Sequence, residues 1–110
     1  MAIIVKTENP DGLLNEIKRL IDEKVVDLWS YDASGDFSHT PERWINRAWL
    51  RPEVGDGELK FGILGTKDSG MTASLYSAYH AFFIQMLLTN LDKHFTTAAA
   101  TAKKTAPDFF

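Results

Sequence analysis

Apolar residues recur with two different periods along this chain, and the switches between them divide it into elements. Ala2 to Lys6 (AIIVK) is β-branched and reads as a strand, followed by a turn over Thr7 to Pro10. Asn9 is placed to cap a helix whose first position is Pro10, where a missing N–H costs nothing, and Asp11 suits the positive end of the helix dipole. Leu13, Leu14, Ile17, Leu20 and Ile21 then form a stripe at helical spacing, with Asn15, Glu16, Lys18, Arg19 and Asp22 outside it. From Val25 to Tyr31 the period falls to two, so Val26 and Leu28 are expected to face the core while Asp27, Trp29 and Tyr31 face away.

Residues 32–36 form a turn, Phe37 to His39 a short return strand, and Thr40 to Trp44 a capped single helical turn. Ala48 to Val54 is a further strand, with Pro52 marking an edge position or a bulge. Gly55-Asp56-Gly57 then turns the chain into Glu58 to Leu64, where Leu59, Phe61 and Ile63 alternate with Glu58, Lys60 and Gly62. A polar loop over 65–70 leads to a helix from Thr72 to Phe95, about 36 Å long at 1.5 Å per residue, against about 20 Å for a six-residue strand. Residues 96–110 show no periodicity and read as a flexible tail beyond a single domain at 1–95. The pattern predicts a two-layer α+β fold of about four largely antiparallel strands, ordered β-α-β-β-β-α, with both helices on one face.

Composition narrows the function classes. The 110 residues suffice for one core, and 45% apolar with 25% charged residues is ordinary for a globular domain. A net charge of -3 supplies no basic field, so nucleic-acid binding is disfavoured. With no cysteine, thiolate chemistry and disulfides are excluded, and a cytoplasmic setting is the default expectation. The start of the chain reads as a strand rather than a leader, and the longest apolar stretch, Ala81 to Leu88, is too short for a bilayer, so no membrane partner is expected.

Four constellations could carry chemistry. Gly65 to Thr72 matches the phosphate-loop pattern except that Met71 stands where the lysine belongs, which leaves a strand-to-helix loop with Ser69 or Thr72 as cap and, at most, an anion-binding module. On the long helix Tyr76, Tyr79, His80, Phe83, Ile84, Leu87 and Leu91 share a face, so His80 is expected to be buried, neutral and lowered in pKa. The wide apolar arc, with Leu88 and Phe95 at its border and Phe82 beyond, raises a homodimer or a protein partner. His39 with Asp32, Asp36 and Glu42 offers a metal or acid–base set, though at no recognised spacing, and His94 falls at the helix end. No cofactor is implied, and no G-x-S-x-G nucleophile elbow occurs.

On the reverse of the sheet, Trp29, Tyr31, Trp49, Arg51 and Lys60 are expected to form an aromatic and charged face able to bind a ligand or partner. The functional expectation is therefore a non-catalytic interaction module using that face or the exposed flank of the long helix. The alternative is a small enzyme with a His/Asp site above the sheet.

Overall fold

The computed structural model describes residues 2–66, 70–105 and 108. Strand β1 (Ala2–Lys6) leads into helix α1 (Pro10–Asp22), followed by β2 (Trp29–Tyr31), β3 (Phe37–His39), β4 (Ala48–Gly55), β5 (Glu58–Gly65), α2 (Ala73–Leu91) and β6 (Thr97–Ala100). The fold is α+β. Its single antiparallel sheet has the order β2-β3-β4-β5-β1-β6, six strands rather than the expected four.

Local chemistry explains most boundaries. Asn9 caps α1 by accepting the Gly12 N–H at 3.0 Å, and Thr72 caps α2 by accepting that of Leu75 at 3.2 Å. Gly55 faces Glu58 across the β4–β5 hairpin, and Gly57 takes the positive φ (+70°) that such a turn demands. Pro52 lies in β4 beyond the single Phe37–Leu50 pairing with β3, so its missing N–H falls on a stretch of strand with no ladder on that side.

The core lies between the helices and one face of the sheet. Ile3 and Val5, Leu59, Phe61 and Ile63, Ala48 and Leu50, and Phe37 meet Leu13, Ile17 and Leu20 of α1 and Leu75, Tyr79, Phe83 and Leu87 of α2. Alternation in β4 and β5 thus runs as expected. His80 is buried, with Nδ1 2.6 Å from the carbonyl oxygen of Tyr76 one helical turn back.

Two expectations are corrected. The stretch from Val25 is not a strand until Trp29, and Trp29 faces the core at 3% exposure. Lys24 closes α1 with a left-handed φ of +61°, and the amides of Val25 and Val26 both donate to the Leu20 carbonyl. The bends that follow break the two-residue period: Val26 and Trp29 are both buried, three positions apart, while Val25 and Leu28 are 60% and 54% exposed.

The second correction concerns the chain's last stretch. Helix α2 stops at Leu91, about 28 Å long at 1.5 Å per residue. Four residues of the expected tail form β6, which pairs with β1 from Ile3–Ala100 to Lys6–Thr97. Beyond it the Thr101 amide donates to the Ala2 carbonyl at 2.8 Å, and the Asp108 carboxylate accepts the Ile63 amide at 3.0 Å. Small residues suffice here because an edge strand is held by its ladder, not by large side chains. Phe109 and Phe110 lie outside the described residues, as do Lys67 to Ser69 of the glycine-flanked loop.

Candidate binding groove

Alternation along β3 decides where its polar residues go. Phe37 and His39 point to the core side, whereas Asp36 reaches the reverse face and forms a two-pronged pair with Arg51, at 3.0 Å to Nε and 2.9 Å from NH2. Asp32 is occupied within its turn, accepting the amides of Ser34 and Asp36. The His39, Asp32, Asp36 and Glu42 set therefore does not converge, and no cluster of three potential metal ligands occurs among the described residues.

The expected binding face is not assembled either. Trp49, Arg51 and Lys60 do share the reverse face, but Trp29 and Tyr31 lie on the helix side. Tyr31 donates its hydroxyl to the Asp22 carboxylate of α1 at 2.7 Å, which pushes the phenol's pKa up. What remains on the reverse face is chiefly ionic: Lys6 and Lys60 lie 3.1 and 3.4 Å from Glu58, holding its carboxyl below the usual range, Lys6 most of all.

Among the described residues two concave surfaces of similar size occur, one of about 510 Å³ between the start of α1 and residues 93–96, and a more apolar one along the outer flank of α2. A cavity of about 520 Å³ is bounded by the bend at 25–29, by His39, Pro41 and Trp44, and by Phe82, Gln85, Met86, Thr89 and Asn90 of α2. Its walls are fixed by Tyr79, whose hydroxyl donates to the Trp44 carbonyl at 2.8 Å and so ties the 40–44 turn to the helix. Burial pushes the pKa of this phenol up. Phe82, 41% exposed, stands on the rim with Leu28 and Val25. Leu88 is exposed elsewhere on α2 and is not part of the wall.

His39 is the polar group most completely enclosed by this groove, at 4% exposure. Its ring stacks on Trp29 at a centroid distance of 4.4 Å and lies 5.1 Å from Phe82, tilted by 32°. Nδ1 is 2.8 Å from the Leu28 carbonyl oxygen, which also accepts the Thr40 amide. A carbonyl can only accept, so the proton sits on Nδ1 and the neutral ring presents Nε2 as a bare acceptor. Among the described residues Nε2 has no hydrogen-bond partner, yet it is not among sealed, unsatisfied atoms, so it opens onto the groove that the ring lines. Burial lowers the His39 pKa, outweighing the Leu28 carbonyl, which raises it.

Sequence reasoning singled out His39 but paired it with the wrong residues, and it missed Trp44, Met86 and Leu28 as groove walls. Apolar side chains on either side of a helix end carry no periodic signal. A smaller cavity, about 310 Å³, lies at the start of α2 between Arg43, Arg47, Gly70, Thr72 and Ser74. No helix is long and apolar enough to cross a membrane among the described residues. No family model, curated protein or solved structure matches the chain.

Proposed function

We propose that this protein is a non-catalytic binding module whose working surface is the groove along the exposed flank of α2. One observation carries the reading: a concavity of about 520 Å³, within the range of about 300–1,000 Å³ usual for small-ligand sites, has apolar walls and a single enclosed imidazole. Three large apolar side chains, Val25, Leu28 and Phe82, stand exposed at its rim, where an occupant would cover them. An acid–base mechanism draws less support from the same wall. His39 and Asp27 are its ionisable groups, and the imidazole is oriented by a backbone carbonyl rather than by a carboxylate.

The test is titration with the apolar fluorophore N-phenyl-1-naphthylamine. Leu28→Ser and Phe82→Ser, both at exposed positions that tolerate substitution, should each weaken binding by about tenfold, the equivalent of about 1.4 kcal/mol of lost apolar contact. Leu88→Ser, equally exposed but off the groove, should leave it unchanged. Absence of saturable binding, or equal losses in all three variants, would refute the proposal.

A further inference from the structure

We infer that the groove takes a small, neutral aromatic molecule of the phenol or naphthol class, whose hydroxyl donates a hydrogen bond to Nε2 of His39. This rests on the groove being the working surface and adds the chemistry of its occupant. An imidazole more than nine-tenths enclosed, with one nitrogen committed to the Leu28 carbonyl and the other unpartnered among the described residues, is an acceptor awaiting a donor.

The surroundings restrict that donor further. Trp29 covers one face of the ring and Phe82 lies against it as well, so the free approach to Nε2 is edge-on, in the plane of the imidazole. A flat molecule suits that approach, because it can bring a hydroxyl to Nε2 in the plane of the imidazole while its rings make the offset or edge contacts that aromatics favour at centroid separations of about 4.5–7 Å. Among the described residues no lysine or arginine lines the groove, and the one carboxylate there is that of Asp27, so a carboxylate or phosphate ligand would enter without a counter-ion from them. A peptide backbone is not the fitting occupant. The Leu28 carbonyl and the Thr40 amide on this wall already bond to each other at 2.9 Å, which leaves neither to pair with an added strand.

The experiment compares 2-naphthol with 2-methoxynaphthalene, which keeps the rings but caps the donor, and with 2-naphthoate, which adds a negative charge. Calorimetric titration of the full chain at neutral pH should find 2-naphthol binding about fivefold to tenfold more tightly than its methyl ether, the worth of one hydrogen bond to an otherwise unpaired acceptor, with 2-naphthoate weakest. His39→Phe should make naphthol and ether equal. Because that variant also removes one of the two hydrogen bonds to the Leu28 carbonyl, a second arm uses the unaltered protein and pH. Protonation turns Nε2 into a donor, and burial lowers the His39 pKa, so the preference for naphthol should still hold at about 6.5, the ordinary imidazole value, and vanish only as pH falls further, through the lowered value, while the ether holds its affinity.

The groups that face His39 are Trp29 from β2 and Tyr79 and Phe82 from α2; Tyr79 alone of these ionises, and its raised pKa keeps it neutral throughout. Asp27, the other ionisable group on the wall, is controlled by Asp27→Asn, which should keep the pH response. Equal affinity for naphthol and ether at neutral pH would overturn the inference and spare the groove; failure of every naphthalene to bind would overturn both. A preference that persists at low pH, or binding confined to tyrosine-containing peptides, would also overturn it.

Discussion

Replacing Trp29 by alanine should cost about 4 kcal/mol of stability, because this side chain is a strut of the core rather than a surface contact. The indole is 3% exposed, and a tryptophan buries roughly 200 Å², worth about 5 kcal/mol at about 25 cal/mol per Å². Alanine retains a fraction of that, but the edge contacts of Trp29 with Phe83 at 4.9 Å and Tyr79 at 5.6 Å, each worth about 0.5–1.5 kcal/mol, are lost as well. Together these reach the top of the range of about 3–5 kcal/mol seen when large aromatics are truncated in cores, and partial collapse of the site onto alanine brings the expected cost to about 4 kcal/mol. Against a total stability of about 5–15 kcal/mol, Trp29→Ala should remain measurable by urea unfolding followed by circular dichroism, and the milder Trp29→Phe guards against outright unfolding. Trp49, half-buried on the reverse face, is the control, and Trp49→Ala should cost less than about half as much. Equal costs at the two tryptophans would mean that Trp29 does not face the helices, and the groove built around His39 would fall with it.

Stability should also depend on pH through His39. Its folded pKa lies below the unfolded value of about 6.5, so the unfolded chain binds the proton first. This contribution is complete above about pH 6.5 and is lost as pH falls towards the folded value; a urea midpoint that stays flat between about pH 7 and about pH 5.5, as in His39→Gln, would refute it. Asp108→Ala should cost about 1–2 kcal/mol and selectively speed hydrogen exchange at the Ile63 amide, since the carboxylate accepts that N–H; unchanged protection there would exclude the contact. A double-mutant cycle on Arg51→Met and Asp36→Asn should give a coupling of about 0.5–1 kcal/mol that shrinks with salt, because Arg51 is 46% exposed although Asp36 is 8% exposed.

Legibility of the fold followed the strength of local constraints. The Asn9 cap and Pro10, the Asp56-Gly57 turn and the inward set Leu59, Phe61 and Ile63 were readable because each is fixed by residues within a few positions. Trp29 was not, because parity has meaning only once the first residue of a strand is known. The left-handed Lys24 and the double donation to Leu20 close α1 and bend the chain over 25–28, which shifts the phase read from Val26 and Leu28. Strand β6 escaped for the opposite reason: Thr97 to Ala100 carries no side-chain signal, and its pairing with β1 is a long-range backbone event.

The same phase shift created the groove. Had the chain run straight from Val25, Leu28 would have filled the core and Trp29 would have met solvent. The bend instead leaves Val25 and Leu28 at a rim and drives Trp29 beneath His39 as a stacking platform. It also aims the Leu28 carbonyl at Nδ1, which fixes the tautomer and leaves Nε2 for an occupant. A local departure from strand geometry thus places apolar walls and one oriented acceptor together. Packing accounts for the buried Trp29 and Val26 but not for the exposed Val25 and Leu28 or for an Nε2 without a partner among the described residues, and the proposed ligand, covering the rim and donating to Nε2, would use both.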